Sequence, residues 1–310
     1  MDDPPAADIE AQARTALVNG QAALLAGDND AAFRWLDRAH RLVPTDPNVM
    51  LALASAWISQ DTEWAASLFA RVAEAHGVAQ AWLGLAACRL RQGDGAEALR
   101  SLARVLAEHA LPVESIGLID RIAAETGWCG LHSDGRLEIH PPAGHSPAGR
   151  HGKPRVTLDG KPVSKLPRHW PLASRVEVRV GDIHLLGSPI RIDVIRRLVG
   201  CVEADDGGIT GWAWYPNDPA TDPALTLRWP DTNRERRIVA RDRGRHFPHT
   251  GPLAQVRGFA IPPAELLAGP VHILGLDDRP LLGSPLDPRA AEIPVQVPPS
   301  RPGPTRPTPA

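Results

Sequence analysis

The chain has 310 residues, with 34 Lys and Arg against 36 Asp and Glu. That length allows two or three domains, each with its own core. The near-neutral balance lacks the dense basic stripe of nucleic-acid-binding proteins, so we expect no nucleic-acid partner. No run approaches about 18 apolar residues, so we expect no transmembrane segment. The acidic start, DDPPAADIE, lacks the basic and apolar parts of a secretory signal, and we expect a cytoplasmic protein.

The side chains that usually carry catalysis or bind metals form no known motif. No GxSxG, HExxH, phosphate-binding loop or dinucleotide fingerprint is present, so we expect no catalytic residue, cofactor or metal. Three cysteines, an odd number without a CxxC pair, predict reduced buried thiols rather than a disulfide framework. They are Cys88, Cys129 and Cys201.

Residues 8–126 repeat with a period of 33 residues and are rich in Ala and Leu. Each unit reads as two helices separated by a polar break that carries an Asp at the start of the second helix. The residues in register are Leu24, Trp57 and Leu90; Asp28, Asp61 and Asp94; Ala32, Ala65 and Ala98; and Leu36, Phe69 and Leu102. The pattern predicts an N-terminal α-solenoid of three helix pairs with a final capping helix, residues 113–126.

These units resemble the tetratricopeptide repeat (TPR) family, whose usual period is 34 residues. The residues that carry the resemblance are Gly20, Ala32, Leu36, Ala39 and Pro44 in the first unit and Trp82, Leu85, Ala86, Ala98 and Leu102 in the third. The resemblance implies a protein partner bound in a helical groove. The candidate groove residues are Leu17, Gln21, Leu24, Met50, Trp57, Leu83 and Leu90. Alternatively, these side chains pack against the following domain or the final helix.

After residue 126 the pattern changes to short alternating runs bounded by turn residues, which predicts an all-β half. Two related segments, LLGSPI at 185–190 and LLGSPL at 281–286, indicate a duplicated module, and Gly127-Trp128 is echoed by Gly211-Trp212. We therefore predict two sandwich-like modules, residues 127–198 and 199–293, the second with an extra hairpin or a longer loop. A proline-rich disordered tail is expected at 294–310.

The most distinctive stretch is ITGWAWYPNDPATDP, residues 209–223. Together with the segments that follow it, this stretch resembles β-domains found beside glycosyltransferase and TPR modules in large alphaproteobacterial proteins of cell-surface polysaccharide synthesis. The matching positions are Gly211, Trp212, Ala213, Trp214, Pro216, Asp218, Pro219, Gly258, Phe259, Leu266, Leu267, Gly269, His272, Gly283 and Pro285. The resemblance implies a context of glycan synthesis and no particular reaction.

Two tryptophans two residues apart on one strand point to the same face. They either form a platform that stacks on sugar rings or belong to the core of the module. The candidate glycan-binding residues are Trp212, Trp214, Tyr215, Asp218 and Trp229.

We therefore predict a non-catalytic adaptor whose helical array binds a protein partner and whose β half binds a glycan or a glycosyltransferase. The alternative is an accessory glycan-modifying enzyme with a site in the His/Asp loops of the β half. The histidines of those loops are His140, His145, His151, His246 and His249. The two hypotheses differ in whether titratable groups converge in a cleft.

Overall fold

The computed structural model describes residues 6–144, 153–244, 247 and 250–287. Six helices form three consecutive pairs, and a seventh follows them. They are α1 (Ala6–Leu25), α2 (Asn29–Leu42), α3 (Pro47–Trp57), α4 (Thr62–His76), α5 (Ala79–Arg91), α6 (Gly95–Glu108) and α7 (Ile116–Ala123). The predicted fold class, an α-solenoid followed by two all-β modules, is confirmed. The predicted tail at 294–310 lies outside the described residues.

The repeated aspartates begin the second helix of each pair. The Asp28 carboxylate accepts a hydrogen bond from the backbone N–H three residues later, at 2.9 Å, and Asp61 and Asp94 repeat this contact at 2.9 and 3.0 Å. Each carboxylate satisfies a backbone N–H that has no partner inside the helix, which stabilises a helix by about 1 kcal/mol. The 33-residue period is therefore a period of helix N-caps.

Within its described residues, the first β module contains seven strands and one short helix, α8 (Ile192–Ile195). The strands are β1 (Trp128–Leu131), β2 (Leu137–His140), β3 (Arg155–Leu158), β4 (Lys161–Pro162), β5 (Arg175–Val180), β6 (Ile183–His184) and β7 (Ile190–Arg191). Strands β1 and β2 form a hairpin, and the others form an antiparallel sheet in the order β4-β3-β5-β6 with β7 also paired to β5. The hairpin and the sheet enclose one apolar core.

The second β module contains two three-stranded antiparallel sheets, β8-β9-β12 and β11-β10-β13. Their strands are β8 (Val199–Asp205), β9 (Gly208–Trp214), β10 (Ala224–Trp229), β11 (Arg234–Val239), β12 (Arg257–Ile261) and β13 (His272–Leu274). Inward-facing side chains of both sheets form a single core, as expected for a sandwich.

The two LLGSP segments make the same contacts in both modules. The Ser188 hydroxyl accepts a hydrogen bond from the Val178 N–H in β5 at 2.9 Å, and the Ser284 hydroxyl accepts one from the Ile273 N–H in β13 at 2.8 Å. Both glycines between the leucine pair and these serines have positive φ, +91° and +88°. The modules are therefore structural repeats, in which β5 corresponds to β13.

The structure corrects the sequence alignment of the two copies. Leu186 bridges to Trp128 in β1, and Leu282 bridges in the same parallel sense to Cys201 in β8. Trp128 therefore corresponds to Cys201. The repeated Gly-Trp pair had indicated that it corresponds to Trp212, and the structure shows that this alignment is wrong. Trp212 lies across from Cys201, just as His140 lies across from Trp128. The two Gly-Trp pairs stand on different strands of equivalent hairpins.

The second copy is longer because it carries an added strand. Strand β12 pairs with β9 and has no counterpart in the first module among the described residues. In the described residues before β12, Pro252 and Leu253 also contact the helical array.

The described cysteines form no disulfide bond, and two of the three are buried. Burial raises the pKa of the Cys88 thiol to about 11 and that of Cys129 to about 12. Both thiols therefore stay protonated at neutral pH and behave as small apolar side chains.

Candidate functional site

Strand β9 has two distinct faces. Ile209, Gly211 and Ala213 are buried, whereas Trp212 and Trp214 are half-buried. The inward residues pack into the core between the two sheets, so both indoles lie on the outer face of the β8-β9-β12 sheet. Neither indole N–H donates a hydrogen bond to another described residue.

The other three candidate glycan-binding residues do not share this face. Tyr215 is 1% exposed, Asp218 is 0% exposed and Trp229 is 3% exposed. A sugar cannot reach side chains that are this deeply buried. The predicted five-residue platform is therefore reduced to two indoles, because the turn after β9 folds inward and the β10 tryptophan faces the core.

Asp218 lies at the centre of a buried polar cluster. Its carboxylate forms an ion pair with Arg196 Nη1 at 2.6 Å and accepts hydrogen bonds from the Ser133 hydroxyl at 2.6 Å and the Thr221 hydroxyl at 2.7 Å. Arg196 Nη2 also donates to the Ser133 backbone carbonyl at 2.7 Å. A buried carboxylate requires such partners because desolvation of the charge is otherwise very costly. This cluster joins the two β modules.

Aromatic rings enclose the arginine of this cluster. The Arg196 guanidinium carbon lies 4.7 Å from the ring centroid of Trp170 in the first module and 5.5 Å from that of Tyr215 in the second. Cation–π attraction is stronger where water is excluded. Tyr215 therefore helps to hold the junction between the modules.

Asn217, next to Asp218, connects the same turn to the helical array. Its side-chain N–H donates to the Glu108 carbonyl at 2.8 Å, and its own backbone carbonyl accepts from the Ala110 N–H at 2.8 Å. The Asn-Asp pair thus links the end of α6, the first module and the second module. This part of the distinctive sequence stretch is an inter-domain junction.

A buried histidine lies within this junction. His109 directly follows α6, stands between the two residues that Asn217 contacts, and is 3% exposed. Burial, with the charge of Arg104 as the smaller cause, lowers the pKa of His109 from 6.5 to about 4. The folded protein therefore keeps this imidazole neutral at pH values at which the unfolded chain protonates it.

This shift predicts a loss of stability in acid. Between about pH 6.5 and 4 the unfolded state binds more protons at His109 than the folded state, so stability falls as pH falls through this window. The full effect of the shift is about 3 kcal/mol. His109→Gln should flatten the dependence of the unfolding free energy on pH, measured by urea titration. The exposed His76→Gln is the control, and an unchanged pH profile in His109→Gln would contradict the assignment.

A chain of titratable groups joins α7 to the β1-β2 hairpin. His140 contacts Asp120 through Nδ1 at 3.1 Å and Glu138 through Nε2 at 3.3 Å, and its ring stacks on Trp128 at 4.2 Å. Hydrogen bonding from His132 is the main cause that lowers the pKa of Glu138. Both nitrogens of His140 therefore have carboxylate partners. His145, His151, His246 and His249 lie outside the described residues.

The candidate groove residues of the helical array have different surroundings. Met50 is 4% exposed and belongs to the core, so it cannot line an open groove. Trp57 stacks edge-on against Phe33 and Trp64 at 4.2 and 4.9 Å, between helices. Leu83 packs against the cluster of α6, α7 and Trp128, in line with the alternative that these side chains pack against the following domain or the final helix. The others are Gln21, which is exposed, and Leu17, Leu24 and Leu90, which are half-buried.

The groove between α1 and α3 contains a segment of the second β module. Leu253 packs against the core of the helical array, which Leu17 also contacts. The side-chain N–H of Asn48, at the start of α3, donates to the Pro252 carbonyl at 2.8 Å. A cavity of about 680 Å³ remains beside this contact, lined by α1, the start of α3 and residues 250–254.

Comparison with known proteins gives a limited result. No family model and no curated protein matches this chain. Among the solved structures, the NMR structure of the first TPR domain of human RPAP3 is similar to this chain at 21% sequence identity. The match covers 36% of this chain and 89% of that chain, with a TM-score of 0.33. So distant a superposition has no bearing on function, and the solenoid is identified from its own helix pairs.

Two features are absent from the part of the chain that the structure describes. No described helix is both long enough and apolar enough to cross a bilayer. Within the described ranges, no group of three or more His, Cys, Asp or Glu side chains could hold a metal ion.

The residues that join the three parts of the chain were not predicted from the sequence. Arg196, Ser133 and Asn48 stand in ordinary local patterns, and their partners are 22, 85 and 204 residues away along the chain. For Leu253 the only available signal was a Pro-Leu pair in a loop between strands. Contacts at such separations leave no trace in local periodicity.

Proposed function

We propose that this protein is a non-catalytic adaptor whose helical array binds a short, turn-containing segment of a partner protein. The binding surface is the groove between α1 and α3, the first helices of consecutive pairs. The segment it accepts is short and apolar and carries a turn with a proline before a leucine, as residues 251–254 do, where the Ala254 N–H donates to the Gly251 carbonyl at 3.0 Å.

The observation that carries this proposal is the contact made by residues 250–254. Leu253 inserts an aliphatic side chain against the helical core, and Asn48 binds the carbonyl of the preceding proline. A side-chain amide that binds a backbone carbonyl fixes the position of a peptide segment, because every residue carries that acceptor. The chain itself thus provides an example of the ligand that this groove accommodates.

The test uses the chain's own segment as a free ligand. Leu253→Ser should release the tethered segment, and a labelled TGPLAQV peptide (residues 250–256) should then bind, as measured by fluorescence anisotropy. Wild-type protein should bind the peptide at least about tenfold more weakly, because a tethered competitor acts at an effective concentration near millimolar. Adding Asn48→Ala should weaken binding by about two- to tenfold, the value of one hydrogen bond.

Two controls make this result specific. A TGPSAQV peptide should not bind, and Asn29→Ala, at the exposed start of α2, should leave the affinity unchanged. Equal binding of both peptides, or no binding to Leu253→Ser up to about 1 mM, a free energy of about 4 kcal/mol, would reject the groove as a peptide-binding site.

A glycan, or a glycosyltransferase that carries one, is the second candidate ligand. The observation that favours it is the shared outer face of Trp212 and Trp214, since an indole face can stack on a sugar ring. A glycan-modifying activity has weaker support, because the described His/Glu/Asp chain at His140 is fully engaged in hydrogen bonds and ion pairs.

A further inference from the structure

The outer face of the second module is unusually apolar. On the hairpin β8-β9, Val199 stands opposite Trp214 and Cys201 stands opposite Trp212. Leu282 lies beside Cys201 and is 75% exposed, and Val199 is 38% exposed. We call these five residues the GWAW face. A contiguous apolar patch of this kind marks a candidate interaction surface, whereas single exposed apolar side chains do not.

The equivalent face of the first module is covered by helices. Trp128, which corresponds to Cys201, is 1% exposed and packs among apolar residues of α6 and α7. Its indole N–H donates to Asp120 of α7 at 2.8 Å. Leu186, which corresponds to Leu282, packs against the same helical cluster. One copy of the duplicated face therefore binds a pair of amphipathic helices.

The fit between the first module and these helices is close. A Cβ atom added at Gly130 would lie 3.1 Å from Leu111, and one added at Gly187 would lie 2.6 Å from Leu106. In the second module Glu203 stands at the position of Gly130, and the atoms nearest to a Cβ added at Gly283 belong to Val202 of the same module. The centre of the second face is still apolar, but the acidic Glu203 replaces the glycine at which the first face packs closely against Leu111 and Leu106.

From this equivalence we infer that the GWAW face binds an amphipathic helix of a partner protein, with an aliphatic stripe flanked by Lys or Arg. The aliphatic stripe matches what α6 and α7 present to the first module. The basic flank follows from Glu203, Asp205 and Asp206, which are all exposed along the edge of the face. This site is separate from the groove between α1 and α3 and does not depend on its proposed function.

Two other occupants fit less well. A second copy of the chain could offer α1, where Val18 is 57% exposed and Leu25 is 92% exposed, but Asp8 and Glu10 at its start would oppose the acidic edge of the face. A sugar is less favoured, because the residues directly opposite the indoles on the paired strands, Val199, Cys201 and Gly258, offer no polar side chain for its hydroxyls. The acidic residues stand only along one edge of the face.

The test uses two designed helical peptides of equal length. Both carry the Leu and Ala stripe of α6 on one face, and the flanking positions are all Lys in one peptide and all Glu in the other. Isothermal titration of the full chain should show binding of the Lys peptide that is at least about tenfold tighter than that of the Glu peptide. Leu282→Asp should weaken binding of the Lys peptide by at least about tenfold, because it places a charge in the apolar contact.

A matched variant controls for general effects of a new charge. Ile183→Asp changes an aliphatic residue of the first module that is 63% exposed, and it should leave the affinity unchanged. Hydrogen exchange should show added protection in residues 199–214 when the Lys peptide is bound. Failure of the Lys peptide to bind up to about 1 mM, or its equal binding to the Leu282→Asp protein, would overturn the inference. So would self-association of the chain that Leu282→Asp abolishes, or an oligosaccharide that protects the hairpin when the Lys peptide does not.

Discussion

Asp218→Asn is expected to lower the free energy of unfolding by about 3–5 kcal/mol, because it leaves the buried charge of Arg196 without its partner. The carboxylate is 0% exposed, and the Arg196 side chain is 8% exposed. Water therefore cannot replace the lost contact. The same cluster includes Ser133 of the first module, so the change should also loosen the junction between the modules. Urea denaturation followed by tryptophan fluorescence measures the effect.

The control for this prediction is Asp205→Asn, an exposed carboxylate on the same module, which should change stability by less than about 0.5 kcal/mol. Arg196→Met combined with Asp218→Asn should cost less than the sum of the single changes, because removing both charges leaves neither unpaired. A loss below about 1 kcal/mol in the single Asp218→Asn variant would show that the junction does not depend on this ion pair.

Trp128→Ala is the second large-effect change, with an expected loss of about 3–5 kcal/mol. The indole is 1% exposed, packs among helical residues and stacks on His140. Its removal opens a cavity between the array and the first module and takes away the hydrogen bond to Asp120. Thermal unfolding of the variant should begin with separation of these two parts. The midpoint temperature measured by near-UV circular dichroism, which reports tertiary packing, should then be lower than the midpoint measured by far-UV circular dichroism, which reports secondary structure.

Trp128→Phe separates packing from hydrogen bonding in this prediction. It keeps most of the apolar volume and loses only the N–H donor, so its cost should be nearer 1–2 kcal/mol. For Trp128→Ala, near-UV and far-UV transitions at the same temperature, with a loss of unfolding free energy under about 1 kcal/mol, would contradict this account. Trp128 would then not be an important contact between the array and the β half.

The helical array could be predicted well because its signals are local. The period of 33 residues reflects aspartates that cap helices within three residues of themselves, as Asp28 does. The small Ala32, Ala65 and Ala98 are all 0% exposed, as close helix packing requires. Helical periodicity could not, however, tell which neighbour each apolar face meets. Trp57 packs against Trp64 of α4, whereas Leu83 packs against the cluster of α6, α7 and Trp128, although both were expected in one groove.

The β half shows the same limit more clearly. Alternation along β9 correctly separated the two faces of the strand, and the LLGSP segments correctly indicated a duplication. The burial of Tyr215 and Asp218 could not be predicted from the sequence. Their burial depends on Arg196 and Ser133, which belong to the other module. A tryptophan-rich motif is compatible with a ligand platform or with a domain junction, and only its distant contacts distinguish the two.

Hydrogen exchange with the TGPLAQV peptide tests the proposed adaptor function most directly. On the Leu253→Ser protein, the peptide should slow exchange in α1 and at the start of α3, the two elements that hold residues 250–254 in the wild-type chain. The β8-β9 hairpin should be unaffected. Protection confined to that hairpin, or no protection of α1 and α3 at saturating peptide, would contradict a peptide-binding groove in the helical array.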